Sequence, residues 1–162
     1  MLQKMITIDP QKCTGCRQCA MICSFKHEGV FSMTLSRIKL VSFEDICLTV
    51  PVTCAYCEEP ICEKVCPVGA MTHDPETGMA KVIEELCIGC KECLNACPIG
   101  AIDIHPNKKV PIRCDLCGGD PQCVANCERG ALKYETVSMA ARAKRRTRII
   151  NLKLDSESAV KA

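Results

Sequence analysis

Apolar positions fall in short runs divided by turn residues. Met5-Ile6-Thr7-Ile8 precedes Asp9-Pro10 and reads as a short strand and a turn before Cys13. Met79-Ala80-Lys81-Val82-Ile83 repeats that reading before Cys87, behind a turn at His73-Asp74-Pro75-Glu76-Thr77-Gly78. Val50-Pro51-Val52-Thr53 runs into Cys54 as Val110-Pro111-Ile112-Arg113 runs into Cys114, so a two-part unit is duplicated. The stretch from Glu44 to Val50 alternates polar and apolar residues, which predicts that Cys47 is a buried structural thiol. After Val137 the character changes. Ser138 is expected to cap a basic helix through Ile150, with Met139, Ala140, Ala143 and Ile150 as its apolar points. The pattern predicts an α+β fold of short β-hairpins and short helices over residues 1–137, followed by a basic C-terminal helix or tail at 138–162.

Cysteine changes this picture. Sixteen of the seventeen cysteines form four groups with metal-ligand spacing. They are Cys13, Cys16, Cys19, Cys23; Cys54, Cys57, Cys62, Cys66; Cys87, Cys90, Cys93, Cys97; and Cys114, Cys117, Cys123, Cys127. The first and third read C-x2-C-x2-C-x3-C, the run that holds a cubane iron–sulfur cluster. The second and fourth carry a short insertion. After the fourth cysteine, Cys66-Pro67-Val68-Gly69-Ala70-Met71 and Cys97-Pro98-Ile99-Gly100-Ala101-Ile102 are near copies, and Cys127-Glu128-Arg129-Gly130-Ala131-Leu132 keeps the Gly-Ala part. Group one departs, with Cys23-Ser24-Phe25-Lys26-His27-Glu28. Proline is expected to turn the chain away from the cluster, and Gly15 and Gly89 to let the backbone curl round it.

A disulfide scaffold suits a secreted chain, but no leader is expected ahead of the first group, and the expected compartment is the cytoplasm. No stretch reads as a membrane span. Zinc would accept four thiolates, yet its sites usually pair two separated C-x2-C units, so the spacing favours four [4Fe–4S] clusters. With three Phe, two Tyr and no Trp, the core lacks large rings. Inorganic cubanes would fill that space, making folding depend on cluster assembly. Four oxidised cubanes would take the formal +2 to about −6, so the basic residues need not signal nucleic acid.

Over about residues 5 to 135 the chain resembles the four-cluster ferredoxin-type subunits of multisubunit oxidoreductases. Relatives serve dimethyl sulfoxide reductase, formate dehydrogenase, formate hydrogenlyase and carbon monoxide dehydrogenase systems. The length, the Cys23–Glu28 stretch and Ser36-Arg37-Ile38 look most like small subunits paired with tungsten- or molybdenum-pterin aldehyde oxidoreductases. The resemblance implies two nested ferredoxin-like modules, an inner one at about 51–104 and an outer one at 1–50 plus 105–137. In two-cluster ferredoxins the fourth cysteine of one motif ligates the other motif's cluster. That rule pairs Cys54, Cys57, Cys62 with Cys97 and Cys87, Cys90, Cys93 with Cys66. It then pairs Cys13, Cys16, Cys19 with Cys127 and Cys114, Cys117, Cys123 with Cys23. The alternative pairs neighbouring groups, one with two and three with four.

The resemblance implies an electron relay with no catalytic residues of its own, between a catalytic subunit and a flavin, ferredoxin or quinone-linked acceptor. Rival readings are the same relay in a hydrogenase, formate or carbon monoxide system, and a nucleic-acid-binding iron–sulfur protein. Arg17, with Lys12 and Lys26, would raise the potential of the Cys13 cluster, unless these are solvated surface charges. Glu58, Glu59 and Glu63 stand against Lys64 in group two, Lys91 against Glu92 in group three, and Asp115 and Asp120 in group four. His27, His73 and His105 are expected at the surface or in turns, and Tyr56 as a shield beside a cubane. Arg142, Lys144, Arg145, Arg146 and Arg148 would make the tail a docking arm for a partner or a second copy, or a solvated helix.

Overall fold

The computed structural model describes residues 4–74 and 76–136. Its strands form four antiparallel two-stranded ribbons. They are β1 (Lys4–Ile8) with β8 (Leu132–Thr136), β2 (Lys39–Phe43) with β3 (Leu48–Val52), β4 (Met71–His73) with β5 (Ala80–Val82), and β6 (Ile102–Ile104) with β7 (Pro111–Arg113). Four helices lie between them: α1 (Gln18–Glu28), α2 (Ile61–Lys64), α3 (Glu92–Ala96) and α4 (Gln122–Ala125). This is the expected α+β fold of short hairpins and helices. The expected helix at Ser138–Ile150 lies outside the described residues.

Each of the described helices starts within a cysteine group, and of them α1 alone continues past its group's fourth cysteine. Pro67 and Pro98 follow the fourth cysteines of groups two and three, where α2 and α3 are only 4 and 5 residues long. Group one has no such proline. There α1, 11 residues long, continues past Cys23 to Glu28 and stops at Gly29, whose left-handed backbone closes the helix by donating to Phe25 O. Helix α1 packs on α4, and α2 on α3.

Pro51 and Pro111 occupy matching places, opposite Leu40 in β2 and Ile104 in β6. A strand in a two-stranded ribbon always has one free edge, so a proline without a donor is tolerated there. The β1–β8 ribbon joins the two ends of the described chain, from Lys4 opposite Thr136 to Ile8 opposite Leu132.

The core is mainly aliphatic side chains and thiols, with Tyr56 among them. Met5, Ile6, Ala20, Ile38, Tyr56, Leu116 and Leu132 pack with Cys23, Cys114 and Cys123. Met71 and Ile102 pack with Cys93 in a second cluster. Cys47 corrects the sequence reading, because it is exposed. Phe43 pairs with Leu48, so Glu44–Cys47 form the loop of the β2–β3 hairpin and alternation begins only at Leu48. Cys47 takes a positive φ of 50° and donates its N–H to Glu44 O. Among the described residues no helix is long and apolar enough to cross a membrane.

Candidate metal centres

Groups one and three share a backbone cradle. A 3-10 turn, Pro10–Lys12 or Glu84–Leu86, delivers the first cysteine. Gly15 and Gly89 then take φ of 70° and 71°, and Arg17 and Lys91 take 63° and 66°. These left-handed residues bend the chain so that three cysteines at three-residue steps face one space. The duplication read in the sequence is therefore also a duplication of backbone shape.

Each cradle meets a cysteine from another group. Cys13, Cys16, Cys19 and Cys127 line one cavity of about 270 Å³, with Leu40, Pro51 and Leu132 as apolar wall. Cys87, Cys90 and Cys93 line a second with Cys66, beside Val68 and Met71. Cys54, Cys57 and Cys62 line a third with Cys97, together with His73 and Arg113. In the fourth region, Cys23 lies close enough to Cys114 and Cys123 for its charge to raise both thiols.

Thiol electrostatics test what these spaces can hold. Burial pushes Cys19, Cys54 and Cys93 up to about 11 and Cys114 to about 12, and it pushes Cys123 up as well. Neighbouring thiolates add to each rise. Such groups keep their protons at neutral pH unless a cationic core replaces them, which is what a metal cluster does. Hydrogen-bond donors are aimed at the sulfurs. Ala101 N–H donates to Cys97 Sγ at 3.3 Å, Tyr56 N–H to Cys54 Sγ at 3.5 Å and Arg37 N–H to Cys23 Sγ at 3.3 Å. At Cys66, burial's upward pull is outweighed by the N–H groups of Met71, Val68, Ala70 and Gly69, and the thiol is lowered. The Gly-Ala stretch after the fourth cysteine thus supplies donors as well as a turn. Soft sulfur donors in fours, ringed by N–H groups, fit iron–sulfur clusters.

Three polar residues at these sites escaped the sequence reading. Arg113 is buried, and its Nη1 donates to Cys62 Sγ at 3.1 Å. Arg37 Nη1 pairs with Asp115 Oδ2 at 2.7 Å. His27 corrects its assignment to a surface or turn, since its side chain is only 10% exposed on α1. Its Nδ1 donates to Cys23 O at 2.8 Å and its Nε2 to Asp115 Oδ1 at 3.1 Å. Both partners only accept, so both ring nitrogens carry protons. Asp115, ahead of Cys117 and Cys23, accordingly lifts His27 to about 12. Burial pulls Asp115 upward, but His27 and Arg37 outweigh it and hold the carboxyl at about 2.

The other histidines also have partners. His73 donates to Glu63 at 2.7 Å. His105 does sit in a turn, but it is buried there, and its Nδ1 accepts from the N–H groups of Asn107 and Lys108. Arg17 lines the first cavity and is exposed, whereas Lys64 and Glu59 pair at the surface. Tyr56 is buried between groups two and four, and its hydroxyl donates to Cys114 O at 2.7 Å.

Comparison with known proteins agrees with this chemistry. A 4Fe-4S dicluster domain matches residues 46–137, and a 4Fe-4S binding domain matches residues 5–31. The chain is 42% identical over 135 residues to the aliphatic sulfonate oxidoreductase, polyferredoxin-like subunit, of Pyrococcus furiosus, covering 81% of this chain and 77% of that one. It is 36% identical to the putative electron transport protein YsaA of Escherichia coli K12, covering 87% and 95%. A subunit of the anaerobic dimethyl sulfoxide reductase of the same organism is 34% identical, covering 78% and 70%. Among solved structures, the active site complex BamBC of benzoyl coenzyme A reductase with 1,5-dienoyl-CoA contains a polypeptide that is 27% identical. The TM-score is 0.51, over 84% of this chain and 77% of that one. The protein belongs to the 4Fe–4S dicluster family. It is an iron–sulfur electron-transfer subunit of the oxidoreductase type.

Proposed function

We propose that the chain carries four [4Fe–4S] clusters and passes single electrons between the catalytic subunit of an oxidoreductase and an acceptor. The observation that carries this reading is the crossed cysteine arrangement, in which three thiols of one group meet one from another. The ligand sets are then Cys13, Cys16, Cys19, Cys127; Cys114, Cys117, Cys123, Cys23; Cys54, Cys57, Cys62, Cys97; and Cys87, Cys90, Cys93, Cys66. Bound clusters supply one-electron redox chemistry. The chain's own residues hold the sulfurs, exclude water and aim N–H groups at them. The nested division into an inner module near 51–104 and an outer one around it rests on the same crossed arrangement. The β4–β5 ribbon ties the exit of group two to the entry of group three, and β1–β8 ties the entry of group one to the exit of group four.

The proposed partner is a tungsten- or molybdenum-pterin aldehyde oxidoreductase in the cytoplasm, with a flavin, ferredoxin or quinone-linked acceptor. The name of the Pyrococcus relative supports a second reading, in which the catalytic partner acts on an aliphatic sulfonate. The proposed docking arm, Arg142 to Arg148, lies outside the described residues. Anaerobic isolation with metal and sulfide analysis tests the cofactor reading. About sixteen irons with matching sulfide per chain are expected, and zinc or half that iron would overturn it. The metal of the catalytic subunit that co-purifies decides between partners.

A further inference from the structure

Arg113 breaks the duplication. Val50-Pro51-Val52-Thr53-Cys54 and Val110-Pro111-Ile112-Arg113-Cys114 match in residue type at every position except Thr53 and Arg113. Both side chains are buried, at 4% and 2% exposure. The guanidinium does not serve its own group's first cysteine, Cys114. It reaches from β7 to the group-two cavity, donating through Nη1 to Cys62 Sγ at 3.1 Å and through Nη2 to Thr72 O on β4. Its Nε is buried without a hydrogen-bond partner among the described residues. No carboxylate among those residues forms an ion pair with it.

A buried guanidinium cannot shed its proton, and a cation in a low-dielectric interior needs compensating negative charge. The Cys62 sulfur is the group it touches that turns anionic with a cluster, while Glu84 and Asp115 line a neighbouring cavity with Arg113 without forming an ion pair with it. A bound cluster with four thiolates is anionic, and its reduced form carries one more negative charge than its oxidised form. A fixed cation beside it therefore stabilises the reduced form more. At the Cys23 site Arg37 and His27 are two cations bound to one carboxylate, Asp115, which offsets part of their field, whereas no carboxylate among the described residues is paired with Arg113. Arg17 stands in solvent, where screening is strong.

We infer that Arg113 is the positioning and tuning residue of the Cys54–Cys57–Cys62–Cys97 site, and that it makes the cluster held there more easily reduced than it would be beside a neutral side chain. The inference rests on the four-cluster reading. The couple takes up one electron and no proton from the titrant, so the effect appears directly as a midpoint shift.

The experiment is an anaerobic redox titration followed by electron paramagnetic resonance on the whole chain, with dithionite as reductant. Wild type is compared with Arg113→Met, Arg113→Gln and Arg113→Lys, each first assayed for iron. In the neutral variants the reduced-to-oxidised ratio of one cluster is expected to fall at least tenfold at fixed potential, a midpoint lower by about 59 mV for a one-electron couple. The other clusters should move less than threefold, and Arg113→Lys should stay within threefold of wild type at the affected cluster. Cys62→Ser should change the signal of the same cluster. If Arg113→Met loses iron, Arg113→Gln against Arg113→Lys carries the comparison. Unchanged midpoints at full iron, or equal shifts at every cluster, would overturn the inference. A wild-type chain with fewer than about sixteen irons would instead overturn the cluster count.

Discussion

The Cys62 and Cys23 sites both bring cations out of solvent, and they balance them differently. At Cys23, Arg37 and His27 share the carboxylate of Asp115, which also accepts Cys117 N–H at 3.0 Å. Two positive groups share one carboxylate there, so the cations reach the sulfurs with their charge partly offset. At Cys62, Arg113 has sulfur and one carbonyl oxygen for partners. The first arrangement holds structure, since it ties α1 and the segment after it to group four. The second sets an unpaired cation directly on a ligand sulfur. Two sites built from a duplicated unit thus diverge in electrostatics while retaining their thiols.

Removal of a sulfur should give the largest effect. Cys23→Ser is expected to lose about four irons per chain, because Cys23, Cys114 and Cys123 are all buried and no solvent ligand can easily replace it. Iron content unchanged by this substitution would detach Cys23 from the Cys114 site. A smaller effect is expected from Asp115→Asn, which strands Arg37 and His27 in a partly buried setting. Unfolding of the loaded protein should become easier by about 2 kcal/mol, measured in denaturant under anaerobic conditions. An unfolding midpoint unmoved by that change would show that the ion group is ornamental and the contrast with Arg113 false. Tyr56→Phe should cost least, about 1 kcal/mol, by removing the hydroxyl that joins the segment after Cys54 to Cys114 O. If its melting transition splits in two, the two sites fold less cooperatively than this contact implies.

The thiols were legible in the sequence because ligand spacing is a local property. So were the glycines of the cradles and the matched prolines ahead of Cys54 and Cys114, whereas the helix that continues past Cys23 was not. Arg113 was visible as a mismatch in a repeated strand, but its destination was not. Nothing local states that β7 faces the Cys62 cavity across the fold. The bond between Tyr56 and Cys114 has the same character. Cys47 misled because polar–apolar alternation resembles a strand, whereas the hairpin spends those four residues on reversing direction. Charge counts near each group also pointed to Arg17, since sequence proximity cannot distinguish a solvated guanidinium from a buried one.

The pairing of β1 with β8 has a consequence for biogenesis. During synthesis the β4–β5 ribbon can close as soon as residue 82 leaves the ribosome, but β1 must wait for nearly the whole chain to emerge. Cys13, Cys16 and Cys19 therefore stay uncovered until Cys127 and β8 arrive. In an aerated cell these early thiols would be the first to meet oxidants, so the delivery machinery must reach the nascent polypeptide late or shield it meanwhile.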